Sequence, residues 1–310
     1  MTTTATAPSA ATPTAADQPA LAAALDRPYP LTDDQKRRFR EDGFIKLKDV
    51  FTPDVLDFYG AEITRVVFED ASGRQQASLS LEQRSTYGKA FIQVVNLWEK
   101  SARARAFSFS KRLARLAAEL MGVAGVRMYH DQALYKEAGG GFTPWHVDQY
   151  YWPLETGKCV TAWVPLQAVP IDMGPLCFGR GSHIKNIARD IAISDESERQ
   201  IREAIRADGL IEVFEPYDLG EVSFHLGWTL HRAGPNTSGQ PRKVHTVIYM
   251  DQDMRLVAPK RKEHEADHRN FAPTAKVGQV IDDPKTPVLW TSRAPGGGCA
   301  CGTGGACCSA

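Results

Sequence analysis

The feature that most constrains the fold is a series of short strand-like segments after Val123. Glycines and prolines separate these segments, and the last of them, at 242–250, alternates strongly between polar and apolar residues. Several short strands at close spacing predict a sandwich or barrel. We therefore expect a mainly β protein with flanking helices, on a double-sheet jelly-roll core of the cupin type. The other strands are expected at 126–130, 133–136, 143–148, 160–166 and 221–225.

Helices are expected to precede this region. Thr32 and Gln35 have the spacing of a capping box, and Gly43 follows the helix that they would begin. Pro53 stands where the first position of a second helix is expected. Residues 70–90 are polar and irregular, so a loop is expected there.

The chain of 310 residues divides into one domain and two tails. Residues 1–28 are rich in Ala, Thr and Pro and are expected to be disordered. Residues 29–294 would form a single domain. Residues 295–310 are rich in Gly and Cys and are expected to form a second disordered tail.

Charge and composition limit the partners. Lys plus Arg equals Asp plus Glu at 37 each, so no basic excess points to nucleic acid. No apolar run approaches the roughly 18 residues of a membrane span, and the N-terminus lacks a secretory signal pattern. The cysteines do not form a framework spread through the domain, which predicts a reduced, cytoplasmic protein. The oligomeric state is left open.

A metal-binding pattern stands inside the strand region. His146 and Asp148 are two positions apart, so on a strand both side chains would project from the same face. His231 can supply a third ligand, and two histidines with one carboxylate are the ligand set of non-haem Fe(II) oxygenases. His225, six positions before His231, is the alternative ligand, although Gly227 between them makes a regular strand less certain.

Arg242 follows His231 by eleven positions. A guanidinium is always charged and binds carboxylates through two parallel hydrogen bonds, so Arg242 is suited to a dicarboxylate co-substrate. The alternative is an ordinary surface arginine at the start of a strand.

The order of these motifs resembles the phytanoyl-CoA dioxygenase family. The resemblance covers roughly residues 30–255 and is carried by five matching segments. These are TPWHVDQYYW at 143–152, TAWVPL at 161–166, MGPL at 173–176, GSH at 181–183, and GWTLHRAGPNTS at 227–238 together with Arg242.

The resemblance implies an oxygenase with a double-stranded β-helix core that uses Fe(2+), 2-oxoglutarate and O2. His146, Asp148 and His231 match the iron ligands, and these three are the predicted catalytic and metal-binding residues. Arg242 matches the partner of the distal carboxylate of 2-oxoglutarate. Thr161 matches a hydroxyl donor to that carboxylate, Gln132 a donor to its other end, and Trp152 the aromatic lining of the site.

The expected reaction is the oxidation of a small organic molecule, coupled to the conversion of 2-oxoglutarate into succinate and CO2. Related halogenases lack the carboxylate ligand, so the presence of Asp148 favours hydroxylation or another oxidation. An acyl-CoA substrate is an alternative, since basic residues on a predicted helix near residue 111 could meet phosphates.

Two other functions are weighed. Residues 264–268 read HEADH, which matches the zinc-peptidase pattern through His264, Glu265 and His268. The surrounding segment is charged on every side, whereas a peptidase helix must bury its site against a core. A jelly roll that binds a ligand without turning it over is the second alternative.

Overall fold

The computed structural model describes residues 18–84 and 86–293. Residues 1–17 of the predicted N-terminal tail and the whole predicted C-terminal tail, 295–310, lie outside these ranges. The helices are α1 (Gln18–Asp26), α2 (Asp33–Asp42), α3 (Pro53–Glu69), α4 (Ala71–Ser78), α5 (Thr86–Ala90), α6 (Leu97–Lys100), α7 (Ala102–Ser108), α8 (Lys111–Met121), α9 (Asp195–Ala207) and α10 (Lys262–Phe271).

The strands form two antiparallel sheets. They are β1 (Phe44–Leu47), β2 (Ile92–Val95), β3 (Gly125–Lys136), β4 (Thr143–His146), β5 (Cys159–Pro165), β6 (Leu176–Gly179), β7 (Glu212–Phe214), β8 (Val222–Leu226), β9 (His231–Ala233), β10 (Arg242–Asp251) and β11 (Val288–Thr291). The larger sheet runs β1-β8-β5-β10-β3-β11, with β2 also paired to β3, and the smaller sheet runs β4-β9-β6-β7. This arrangement confirms the predicted mainly β fold with flanking helices.

The beginning of the domain follows its local sequence signals. The Thr32 side chain accepts from the backbone of Gln35 and the Gln35 side chain accepts from the backbone of Thr32, which is the predicted capping box. Gly43 ends α2 at φ 83°, a conformation that glycine adopts without strain. Pro53 begins α3, whose apolar face is buried.

The loop prediction for residues 70–90 is wrong, because α4, a short 3-10 helix and α5 occupy most of this segment. Its polar residues serve as caps and tertiary contacts. Asp70 accepts from the backbone of Ser72 at 2.9 Å. The Gln76 amide group donates to the Gln93 carbonyl at 2.8 Å and accepts from the Gln93 N–H at 3.0 Å. The partner of Gln76 lies on β2, seventeen residues away, so the local sequence does not reveal this contact.

The predicted N-terminal tail needs a correction at its end. Residues 18–26 form α1, and Leu21 and Leu25 of this helix are buried in the main core. The helix is held against the first turn of α8, where the Ser110 hydroxyl donates to the Leu25 carbonyl at 2.8 Å. The composition of residues 1–28 concealed this helix because only two of its described residues, Leu21 and Leu25, are fully buried.

The core positions the two sheets for a site between them. The main hydrophobic cluster joins the outer face of the larger sheet to α3, α7 and α8, while smaller clusters join the two sheets and fill the region beside β4 and α9. Cys159 and Cys177 are buried free thiols. No helix in the described ranges is long and apolar enough to cross a membrane.

Candidate active site

The predicted metal ligands come together where β4 pairs with β9. His146 is the last residue of β4 and lies directly opposite His231, the first residue of β9. Val147 is extended, at φ −125° and ψ 133°, and Asp148 then begins a 3-10 helix. One extended residue between His146 and Asp148 lets their side chains face the same side, as the spacing predicted, although the strand has already ended.

The three side chains form a compact set of donor atoms. His146 Nε2 lies 3.6 Å from Asp148 Oδ1, and His231 Nε2 lies 3.5 Å from the same oxygen. One ligand atom from each residue lies within 4.8 Å of the other two, and the described part of the chain contains no second group of this kind. Two imidazoles and one carboxylate on one side of a shared point suit a divalent transition metal with open positions.

Backbone carbonyls orient both imidazoles. His146 Nδ1 lies 2.8 Å from the Pro144 carbonyl oxygen, and His231 Nδ1 lies 3.0 Å from the Thr229 carbonyl oxygen. Each Nδ1–H therefore donates to a carbonyl. The Nε2 atom keeps a free lone pair on the side of the ring that faces the Asp148 carboxylate. This second hydrogen bond is the usual way in which proteins fix the tautomer of a metal-binding histidine.

Burial also keeps these histidines in the state that binds metal. Burial, together with the neighbouring His231, lowers the pKa of His146 to about 4. Burial lowers the pKa of His231 to about 4 as well, although Asp148 opposes this shift. Both rings are therefore neutral at pH 7, as metal coordination requires.

The second oxygen of Asp148 is held by two neighbours from the larger sheet. Thr161 Oγ1 on β5 donates to Asp148 Oδ2 at 3.0 Å, and His225 Nε2 on β8 lies 3.2 Å from the same oxygen. Burial opposes the ionisation of Asp148, but His231, His225 and His146 together hold its pKa below the ordinary value. His225, the alternative ligand, thus contacts Asp148 and stands outside the three-residue group.

A small cavity of about 70 Å³ connects the three-residue group to Arg242. Arg242 is 1% exposed, donates to the Gly174 carbonyl, and lies 5.4 Å from the centre of the Trp163 ring. Its Nε has no hydrogen-bond partner, and no carboxylate of the described residues influences its pKa. Burial lowers the pKa of Arg242 to about 10, so the group stays charged at pH 7. Burying a guanidinium without an opposite charge costs free energy. This site is therefore suited to an anionic ligand.

The other predicted cofactor-binding residues line the cavities around the triad. Thr161 and Gln132 line the small cavity, and Gln132 and Trp152 line a neighbouring cavity of about 400 Å³. The Gln132 side-chain oxygen accepts from the Gln93 amide at 2.5 Å. In this structure the Thr161 hydroxyl bonds to Asp148, so its predicted contact with 2-oxoglutarate stays a prediction.

The larger cavity contains residues that sequence reasoning did not assign to the site. His130, Asp267 and Phe271 line it together with His146 and Asp148. The alternation of β3 placed His130 on the same face as Gln132, and helical spacing placed Asp267 on the same face as Phe271. The signals were present, but only packing shows that these two faces meet.

The zinc-peptidase alternative is wrong. The HEADH segment is helical, as that function would require, but its histidines are bound to separate backbone carbonyls. His264 Nε2 lies 2.9 Å from the Tyr150 carbonyl oxygen, and His268 Nε2 lies 3.0 Å from the Ala275 carbonyl oxygen. Glu265 is exposed, and these side chains do not form a metal-binding group.

Comparison with known proteins identifies the family. The sequence model of "Phytanoyl-CoA dioxygenase (PhyH)" matches residues 39–244, which is more than half of the chain. The chain belongs to the phytanoyl-CoA dioxygenase family. The matched range includes all three members of the histidine–carboxylate group and Arg242. No curated protein matches the chain in sequence.

Solved structures show the same fold in proteins of low sequence identity. The non-heme α-ketoglutarate-dependent epimerase SnoN from nogalamycin biosynthesis is 23% identical, with a TM-score of 0.68 over 86% of this chain and 99% of SnoN. The carbocyclase SnoK from the same biosynthesis is 22% identical, with a TM-score of 0.67 over 84% and 99% of the two chains. EctD from S. alaskensis, solved with 2-oxoglutarate and 5-hydroxyectoine, is 22% identical, with a TM-score of 0.57 over 73% and 78%. The predicted jelly-roll fold is confirmed.

Proposed function

We propose that this member of the phytanoyl-CoA dioxygenase family is an Fe(II)- and 2-oxoglutarate-dependent oxygenase that oxidises a small organic molecule. The observation that carries the proposal is the pairing of two features in one enclosed space. The Nε2 atoms of neutral His146 and His231 lie 3.6 and 3.5 Å from Asp148 Oδ1, and the guanidinium of Arg242, which has no carboxylate partner, lines the same cavity. The first feature suits iron, and the second suits the free carboxylate of a keto diacid.

Each residue has a role in this proposal. His146, Asp148 and His231 would hold iron, and Arg242 would hold the far carboxylate of 2-oxoglutarate. Thr161 and Gln132 would contact the co-substrate or its surroundings, while Trp152 would line the substrate space. When bound, iron, 2-oxoglutarate and O2 supply an oxidising centre and release succinate and CO2. The protein orients the partners and excludes water around them.

The carboxylate ligand narrows the reaction type. Because Asp148 would act as the third ligand to iron, no ligand position is left free for a halide, which favours hydroxylation or another oxidation over halogenation. The similar structures include an epimerase and a carbocyclase that depend on α-ketoglutarate. We therefore propose an oxidation initiated at a carbon of the substrate, in the cytoplasm, with the final product set by the larger cavity.

The proposal is tested by succinate formation. Protein loaded with Fe(II) and 2-oxoglutarate under nitrogen is exposed to air, and succinate is measured by chromatography. We expect iron-dependent succinate from wild type, even as slow turnover without substrate, and none from His146→Ala. Glu265→Ala is the control, because Glu265 is exposed and would be essential only to a peptidase.

Two further outcomes are informative. In Arg242→Leu we expect iron to bind normally, while affinity for 2-oxoglutarate falls by roughly 10- to 100-fold, since charge-assisted hydrogen bonds are lost. If wild type binds neither iron nor 2-oxoglutarate, the proposal is refuted. Binding of both without succinate would instead support the non-catalytic jelly roll.

A further inference from the structure

The larger cavity carries an acidic residue that the oxygenase chemistry does not use. Asp267 on α10 lines this cavity, although most other residues of α10 are charged or polar. Its side chain has one hydrogen-bond partner in the described structure, the hydroxyl of Tyr129, which donates to Asp267 Oδ2 at 3.0 Å. In the described structure, no lysine or arginine influences the pKa of its carboxyl group.

The cavity around Asp267 is lined by aromatic side chains and by no basic side chain of the lysine or arginine type. Trp152, Tyr151 and Phe271 line it, and the His130 ring stacks on Phe271 with 4.0 Å between ring centres. No lysine or arginine is among the residues that line it. Asp148 is assigned to the metal, so Asp267 is the remaining ionisable acid that a substrate would meet.

The surroundings of Asp267 disfavour the ionised form of its carboxyl group when no ligand is bound. Burial raises the pKa of Asp267 to about 8, although the Tyr129 hydroxyl opposes this shift. His130 is 5% exposed, and its Nδ1 has no hydrogen-bond partner. Burial lowers the pKa of His130 to about 4, so this ring is neutral and adds no positive charge. A ligand that brings its own cation would favour the ionised form of the half-buried Asp267 carboxyl group.

We infer that the substrate carries a basic nitrogen and that Asp267 binds this nitrogen in the cavity that it lines together with His146 and Asp148. The aromatic side chains add attraction, because the face of an aromatic ring binds ammonium groups. The same arrangement disfavours acidic substrates such as an acyl-CoA, whose phosphates would meet the Asp267 carboxyl group and no lysine or arginine. This inference rests on the proposed oxygenase function, since it assigns the larger cavity to the substrate.

The matched probes are tryptamine, tryptophol and indole-3-propionate, which share a bicyclic ring and differ in the charge of the side chain. Each is titrated by calorimetry into protein loaded with Fe(II) and 2-oxoglutarate under nitrogen, so no turnover is required. We expect tryptamine to bind about tenfold more tightly than tryptophol, and indole-3-propionate to bind most weakly. In Asp267→Asn the advantage of tryptamine should disappear, while tryptophol should bind as it does to wild type.

Glu265→Gln is the matched control, since it removes an exposed acid from the same helix two positions away. We expect this variant to keep the full preference for tryptamine. Equal binding of tryptamine and tryptophol to wild type, no binding of tryptamine, or a preference that survives in Asp267→Asn would overturn the inference. The succinate assay on the same samples separates the two proposals, because succinate formation without amine preference refutes only the role of Asp267.

Discussion

At the scale of single residues, the two oxygens of the Asp148 carboxylate have different neighbours. Asp148 Oδ1 faces both histidines, while Thr161 and His225 hold Oδ2. A carboxylate that is fixed in this way presents one oxygen to a metal without further loss of side-chain entropy. Hydrogen bonds to metal ligands typically change metal affinity or activity by 10- to 100-fold. Thr161 is therefore a positioning residue for Asp148.

Replacement of Thr161 by valine tests this role. We expect Thr161→Val to lower Fe(II) affinity by about tenfold, because Asp148 loses one of the two groups that orient it. The measurement is anaerobic competition with a coloured chelator. Thr246→Val is the control, since Thr246 lines the same cavity but its hydroxyl lies 3.4 Å from the Gln132 carbonyl. Unchanged iron affinity with weaker 2-oxoglutarate binding would instead favour the role that the family resemblance implies for Thr161.

At the scale of secondary-structure elements, the turn between α2 and β1 supports the loop before His231. The Gly43 carbonyl accepts from the Thr229 hydroxyl at 2.8 Å and from the Leu226 N–H at 2.9 Å. Thr229 in turn holds Nδ1 of His231 through its own carbonyl. A Cβ on Gly43 would lie 2.3 Å from His183 Nδ1 and 2.8 Å from Thr229 Oγ1. The contact is therefore available only to glycine.

Two glycine substitutions separate backbone strain from this contact. Gly43 and Gly122 both end helices with positive φ, at 83° and 65°, but a Cβ on Gly122 would meet nothing within 4 Å. We expect Gly122→Ala to lower the free energy of unfolding by about 1 kcal/mol and Gly43→Ala to lower it by roughly 1–3 kcal/mol more. Urea denaturation measures both. Equal losses would show that the packing of Gly43 against Thr229 does not matter.

At the scale of the whole molecule, a buried polar group joins the helices to the larger sheet. Asp131 on β3 accepts from the Ser108 hydroxyl of α7 at 2.6 Å and from the Trp98 N–H of α6 at 3.1 Å. The same hydroxyl lies 2.9 Å from His245 Nε2 on β10. Burial raises the pKa of Asp131 to about 7 and lowers the pKa of His245 to about 3.

These two shifts have opposite effects on stability. The raised pKa of Asp131 gives stability that is complete below its ordinary value of 3.8 and is lost as the pH rises toward 7. The lowered pKa of His245 gives stability that is complete above its ordinary value of 6.5 and is lost as the pH falls toward 3. Between pH 3.8 and 6.5 the two slopes cancel in wild type.

Single substitutions should reveal the pH dependence of stability that each of the two groups contributes. Relative to wild type, we expect the stability of Asp131→Asn to fall as the pH is lowered from 6.5, because only His245 then takes up a proton on unfolding. We expect the stability of His245→Gln to fall as the pH is raised from about 4 toward 7. Each difference should approach about 1.4 kcal/mol per pH unit, measured by denaturation at several pH values. Slopes of the same sign in both variants would contradict this account.

Much of the site follows from local sequence. The H-x-D spacing of His146 and Asp148 indicated a shared face, and an extended Val147 between them achieves this even where β4 has ended. The capping box of α2 and the proline at the start of α3 were local signals, and both are confirmed. The family resemblance added His231 and Arg242, which are distant from His146 in the chain but share its cavity.

The sequence by itself determined the elements whose signals are local: the strands β3, β4, β5, β8 and β10, the cap of α2, the start of α3 and the ligand types available for a metal. Only the tertiary structure decided which faces meet. It turned residues 70–90 into helices through the contacts of Gln76 with β2, and it placed Asp267 of a charged helix inside the larger cavity. The physical reason is that caps and alternation act over a few residues, whereas the burial of a polar side chain depends on partners far away in the chain.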